Sequence, residues 1–318
     1  MRTNFFLIAV IAICFVTESK AQQKFNVQNG TKTAFYNDLE TAVQQAAAGD
    51  TIYLPGITIQ LQEDLVIDKK LALIGVGWDM DSIGGQHLTI LDNGGVKFSE
   101  GSDGSLITGC QLGSIVSENV SDIIILRNNI GTINLNESNN INIWENNNAW
   151  ISGNNTSGCF IENNKVSGGI NYLRNSFIIN NVIGGNISGS LCIFENNFIA
   201  GSHGENGNNT FNNNAFRGNY TFPAGTDIGE NNLMNQSDAD TFVGENINDI
   251  PKNLQLKPSS PCKTAGMYGT EIGIYGGTRP YKAGALPFNP HVSKSVISTR
   301  TDAEGKLSVE IVVTAQDR

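Results

Sequence analysis

The stretch between residues 123 and 218 is one phrase written six times: IIILRNNIG (123–131), INIWENNNA (141–149), GCFIENNKVSGG (158–169), NSFIINNVIGG (175–185), LCIFENNFIAG (191–201) and NTFNNNAFRG (209–218). The Asn pairs begin at Asn128, Asn146, Asn163, Asn180, Asn196 and Asn213, at intervals of 18, 17, 17, 16 and 17 residues. A period this short cannot hold two helices. Each phrase is rich in Ile, Phe and Val and is bounded by Gly and Asn, which predicts short strands joined by tight turns. One such unit cannot bury its own apolar face, whereas stacking successive coils at ~4.8 Å buries a continuous core and aligns equivalent residues into columns. The predicted architecture is a β-solenoid.

Aligning the phrases on their Asn pairs assigns the columns. Leu126, Trp144, Ile161, Ile178, Phe194 and Phe211 stand two residues before each pair and form the predicted core column. Two residues earlier come Ile124, Asn142, Cys159, Ser176, Cys192 and Asn209, mostly small, as a narrow interior requires. Val166, Ile183, Ile199 and Phe216 return after the turn as the next wall. The column between, Ile125, Ile143, Phe160, Phe177, Ile193 and Thr210, then points outward by strand alternation, as an apolar stripe. A stripe of that kind is rarely left wet, so the segment 251–290, with Tyr268, Tyr275, Tyr281 and Phe288, is expected to pack over it, the alternatives being a subunit contact or a sugar-stacking platform. Asn suits the sharp turn because it tolerates left-handed backbone geometry, and its amide can bond its stacked equivalents. About 40 Asn occur in 318 residues, whereas none of the 8 Pro falls between Pro55 and Pro223. Both follow from a parallel ladder in which every coil donates to a neighbour.

The flanks complete the layout. Residues 1–21, with Arg2 and an apolar run from Phe5 to Val16, read as a secretory signal peptide in which Cys14 is filler rather than a lipid-attachment site. Asp38 followed by Leu39, Ala42, Val43 and Ala46 predicts a capped amphipathic helix ending at Gly49, a lid for the N-terminal end of the solenoid. TIYLPG, DLVID, LALIGVG and HLTILDN between Thr51 and Asn93 look like earlier, longer coils, and SKSVISTR (293–300) with KLSVEIVV (306–313) reads as a hairpin. Residues 22–290 are thus expected to form the solenoid with its closing segment 251–290, and residues 291–318 a β-hairpin appendage. Cys110, Cys159, Cys192 and Cys262 lack the spacing of a zinc site or a disulfide-dense domain and read as buried free thiols.

The formal charge is −10, but residues 22–250 carry 9 basic against 24 acidic groups, −15, and residues 251–318 carry 9 against 5, +4. An acidic body repels polyanions, which argues against a nucleic-acid partner.

The opening YNDLETAVQQAAAGDTIYLPG (36–56), LALIGVG (71–77), the repeated NN phrases and the closing SPCKTAGMYGTEIGIYGG (260–277) resemble secreted bacterial right-handed parallel β-helix proteins of the pectate-lyase-like superfamily. The resemblance covers most of the chain after residue 21 and implies an all-β, single-stranded right-handed parallel β-helix. It implies no activity, since that scaffold hosts lyases, hydrolases, epimerases and adhesins. Lyase chemistry on this fold needs a basic residue as proton acceptor and calcium held by acidic side chains. Arg127, Lys165, Arg174 and Arg217 fall in four different columns, and Arg127 is expected in a surface stack with Glu145 and Glu162. His203, within Gly201-Ser202-His203-Gly204, reads as a surface-loop histidine, and the pairs Asp79 and Asp81, Asp238 and Asp240 as solvated turn residues rather than a calcium site. The function expected is an exported extracellular, cell-surface or periplasmic binding or structural module associated with polysaccharide or a cell-surface component, with no cofactor. A polysaccharide lyase or glycoside hydrolase and a self-associating adhesin are the alternatives.

Overall fold

A computed structural model describes residues 24–79, 88–204, 207–222, 227–247, 254–281, 291–298 and 300–314. Residues 1–21, read above as a signal peptide, and Asp81 and Phe288 lie outside the described residues. Each phrase contributes a three-residue strand to a first sheet, in which Leu106–Thr108, Ile124–Leu126, Asn142–Trp144, Phe160–Glu162, Phe177–Ile179, Ile193–Glu195 and Thr210–Asn212 follow one another in parallel. After a sharp turn the chain enters a second parallel sheet through strands such as Gln111–Glu118, Asn129–Asn136 and Asn147–Ser157. Thr51–Tyr53, Leu65–Ile67, Ala72–Ile74 and Ile90–Asp92 are strands of the earlier coils, as expected. The result is a β-solenoid whose lumen is one apolar core from Phe25 to Phe216.

The register corrects the column assignment in the first two phrases. Ile125, Ile143, Ile161, Ile178, Phe194 and Phe211 pair in sequence and are all buried in the lumen. Leu126 and Trp144 stand instead in register with Glu162 and Ile179 on the outer face, and the outward apolar stripe runs through Ile124, Asn142, Phe160, Phe177, Ile193 and Thr210. The inner corner column is Ile123, Ile141, Cys159, Ser176 and Cys192.

The slip arises because two adjacent turn columns do different work, and Asn occupies both only in the later coils. One column holds the left-handed residue: Arg127, Glu145, Asn163, Asn180, Asn196, Asn213 and Asn231, with φ between 53 and 56°. The next is the amide ladder: Asn128, Asn146, Asn164, Asn181, Asn197, Asn214 and Asn232. Each ladder Asn from Asn128 to Asn214 donates its backbone N–H to the side-chain oxygen of the Asn one coil on, at 2.8–2.9 Å. The ladder demands an amide, which both donates and accepts; the left-handed position merely favours one. The first two coils therefore put Arg and Glu there, and the visible NN pair shifts by one residue.

In the later coils the left-handed Asn side chains face outward and hold a strap formed by residues 254–281. Asn163 Nδ2 donates to the carbonyls of Ile274 and Gly276 at 2.8 and 3.0 Å, Asn213 Nδ2 donates to Ala265 O at 2.9 Å, and Asn196 Oδ1 accepts from Met267 N at 2.8 Å. Gly277, at φ 74°, lets the strap approach Asn180, whose side chain a Cβ would strike. Leu254, Leu256, Cys262, Ile272, Ile274 and Tyr281 form a second core with Val182, Phe198 and Ala215, outward residues of the second sheet. The described part of the closing segment, residues 254–281, thus packs on the solenoid, but on this column beyond the turn rather than on the stripe.

Asp38 caps the helix Leu39–Gln45 by accepting from Thr41 N at 2.7 Å, and Leu39, Ala42 and Val43 are buried against the first coil. Lys69 Nζ donates to the carbonyls of Val43, Gln44 and Ala46, satisfying the free end of that helix. At the other mouth Tyr220 and Phe222 pack on Phe211 and Phe216. His291–Ile297 and Val309–Thr314 form the expected antiparallel hairpin. Cys110, Cys159, Cys192 and Cys262 are free and buried, and burial pushes the Cys110 and Cys159 thiols up to about 12 and 11. Among the described residues no helix is long and apolar enough to cross a membrane.

Candidate ligand-binding face

The charged residues singled out from the sequence do not converge. Arg127 Nε donates to Glu145 Oε2 at 2.9 Å, but the guanidinium is only 1% exposed, so the pair is buried rather than a surface stack. The buried phenol of Tyr281, pushed up by burial, faces both charges, and Arg279 lies 4.2 Å over the ring of Trp144. Glu162 stands in the adjacent outward column instead of continuing the pair. Burial raises its carboxyl and Arg279 lowers it. Arg217 makes a two-pronged bond to Asp238 at 2.9 and 2.6 Å, and Asp240 accepts from Ser237 in the same short turn of helix.

His203 is not a surface residue. Its side chain points into the C-terminal mouth of the lumen, packed edge-on against Phe211 and Tyr220, with Nε2 3.4 Å from the buried Asp227 Oδ2. It pairs in register with the lumen residue Ile187, so alternation turns it inward. Burial holds the imidazole below its ordinary range although Asp227 pulls the other way. The pair forms part of the end plug.

A different surface has the makings of a binding site. Along the outer face of the second sheet, Trp150 is 47% exposed and Tyr172 is 64% exposed. Trp150 follows from alternation, since its neighbour Ile151 is fully buried. It stands in register with Thr132 and lies against Gly168 and Gly169, where a Cβ would collide with the indole ring. Two consecutive glycines thus make a flat seat that supports one face of the ring and leaves the other to solvent.

Tyr172 is displayed at a cost. It sits in a bulge of the strand Ile170–Arg174, where the register shifts against both neighbouring strands, and its φ is 61°. A bulky side chain in left-handed geometry costs about 1–2 kcal/mol, and a bulge re-aims the side chain it carries. The displaced Tyr172 N–H is satisfied by Ser188 Oγ at 3.2 Å, and that hydroxyl donates in turn to Asn171 Oδ1 at 3.2 Å.

Tyr172 opens onto a shallow depression of about 470 Å³ lined by Ser152, Asn154, Asn155, Arg174 and Ser190. A neighbouring groove of about 400 Å³ runs across successive coils beside Ala149 and carries the column Gln111, Asn129, Asn147 and Lys165 over a floor that includes Gly113 and Gly131. Asn147 Nδ2 donates to Asn129 Oδ1 at 3.0 Å, so these amides are held at the coil spacing. The face supplies two exposed aromatic rings, amides, hydroxyls, the Arg174 guanidinium and, in the neighbouring groove, Lys165 and Asp92. That set stacks on and hydrogen-bonds a polar ligand with apolar faces. Trp150 and Tyr172 belong to no charged motif; the sequence signal for them is an aromatic at an outward strand position among Gly, Ser and Asn.

Comparison of the chain with protein-family models, curated proteins and solved structures finds no match.

Proposed function

We propose that the protein is a glycan-binding module of the extracellular space or cell envelope, an exported right-handed β-helix of the pectate-lyase-like type that grips a polysaccharide along the outer face of its second sheet. The observation that carries the reading is Tyr172, largely exposed in a left-handed bulge. Strain of this kind at an exposed aromatic supports a use outside the fold, because backbone geometry alone favours Asn or Gly there. Pyranose rings present C–H faces that stack on Trp and Tyr, and hydroxyls that match the surrounding amides. The low charge of the depression suits a neutral or weakly acidic glycan.

The test is affinity electrophoresis of the protein through gels containing neutral or acidic polysaccharides, with and without calcium, alongside Trp150→Ala and Tyr172→Asn. Retardation by at least one polymer, abolished in both variants while Tyr172→Asn melts higher than the parent, supports the reading. Release of new reducing or unsaturated ends would replace it with a hydrolase or lyase. Equal retardation of parent and variants would move the site elsewhere.

A further inference from the structure

Among the described residues, two apolar surfaces lie open and bear on one another. On the first sheet the Phe160 and Phe177 rings stack at 5.2 Å, with Ile193 on the next rung, and Phe177 is 39% exposed. The turn leading into Ile193 adds Leu191, 53% exposed at φ 59°. The equivalent position in other coils is Asp122, Asn140, Gly158, Asn175 and Asn208, all residues that tolerate left-handed geometry. Leucine there widens the stripe while straining the backbone, which argues that the stripe meets something. The second surface is the C-terminal hairpin. Ile297 faces Val309 across it, alternation puts Ile311 and Val313 on the same side, and all four are more than half exposed. A two-stranded hairpin is marginal in water unless its apolar face is covered.

We infer that the apolar face of the hairpin His291–Ile297 and Val309–Thr314 docks on the stripe formed by Phe160, Phe177, Leu191 and Ile193 of its own chain. The tether fits. The described strap ends at Tyr281, two residues after Arg279, which covers Trp144 on the first sheet one rung before Phe160–Glu162. Ten residue-to-residue steps from Tyr281 to His291 reach at most ~35 Å, and the stripe lies one to three rungs away, roughly 5–15 Å.

Area selects the occupant. Four half-exposed aliphatic side chains offer no more than roughly 400 Å², so two hairpins meeting face to face would fall short of the ~1,200 Å² that stable association of separate chains needs. A tethered partner does not lose translational freedom again, and a short tether holds it at an effective concentration of about millimolar. Contact within one chain is therefore favoured over contact between copies.

The experiment uses the full chain with a photoreactive benzoylphenylalanine in place of Phe177, irradiated as a mixture of isotopically light and heavy protein. Crosslinks to residues 297–313 within the same isotope label are expected. Mixed-label crosslinks, or none to the hairpin, overturn the inference. A second variant that the solenoid should accept, Leu191→Asn, relieves the left-handed leucine and removes part of the stripe; hydrogen exchange of hairpin amides should then speed about tenfold or more while solenoid amides stay protected. Hairpin amides that exchange at unprotected rates in the parent, or identically in Leu191→Asn, also overturn it. The crosslinks and exchange rates do not involve the glycan face, so they stand or fall apart from its function.

Discussion

Replacing Asn164 by Ala removes three heavy atoms and should be among the most damaging small truncations this protein can suffer. The side chain is fully buried; its Nδ2 donates to Ile143 O, Glu162 O and Asn181 Oδ1 at 2.8–3.0 Å, and its Oδ1 accepts both the backbone N–H and the Nδ2 of Asn146 at 2.9 and 3.0 Å. The alanine variant leaves the Asn146 N–H buried with no acceptor, at about 1–3 kcal/mol, and removes further bonds worth about 0.5–1.5 kcal/mol each. Glu162 O keeps one partner, since it still accepts from Glu145 N. The expected loss is about 3–5 kcal/mol once the small void is included. Asn232→Ala is the control. It removes the last ladder amide, whose partner Asn214 N sits in a partly exposed bond that water can replace, and should cost about 1 kcal/mol. Asn164→Asp should be no milder than Ala, because a carboxylate accepts only and would face two carbonyl oxygens. Urea unfolding followed by far-UV circular dichroism measures all three. If Asn164→Ala costs less than about 1 kcal/mol, or no more than Asn232→Ala, the ladder does not hold the coils together as argued.

Three further outcomes follow from buried polar groups. Arg127→Met should cost about 3–5 kcal/mol by stranding the Glu145 carboxylate, whereas Arg127→Asn with Glu145→Asn, the residue later coils carry there, should cost clearly less; a double variant costing the sum of the singles in urea melts would refute this. Asn148 points into the lumen between Ile130 and Val166 with no hydrogen-bond partner for its amide among the described residues, so Asn148→Val should raise stability by about 1–2 kcal/mol in the same assay, and a loss would show that the amide is solvated. For His203, burial lowers the folded pKa below the unfolded value of 6.5, so its contribution is intact above that pH and is lost as the pH falls below it, where only the unfolded chain takes up the proton. The melting temperature of the parent should drop more steeply than that of His203→Gln between pH 7 and about 5, and parallel profiles would exclude the mechanism.

The two turn columns show how far sequence reading reaches. The repeat, its period and the NN phrase identify a solenoid, but the phrase is ambiguous by one residue, and the outcome hinges on Arg127 and Glu145. Nothing local states that these stand in the left-handed column, because Arg and Glu carry no turn signal. Only pairing with Asn163 and Asn180 in later coils assigns them, and with them which of Ile125 or Leu126 faces the lumen. The candidate site was partly legible. Trp150 follows from alternation about Ile151, whereas Tyr172 depends on a bulge that shifts register against two neighbouring strands, and a bulge is a property of the pair of strands. His203 is not legible as a lumen residue for a similar reason: Gly-Ser-His-Gly has the composition of a loop, and its inward turn comes from pairing with Ile187.

The sequence already dictates that coils of 16 to 18 residues stack in parallel, that Asn turns them, that a helix caps one end and that a hairpin follows the strap, because these depend on local propensity and on a repeat that registers with itself. The tertiary structure decides which side of the strand is wet in the first two phrases, where the strap lies and that Tyr172 is displayed. Those choices are set by contacts between coils, where a shift of a single residue exchanges the lumen for the surface.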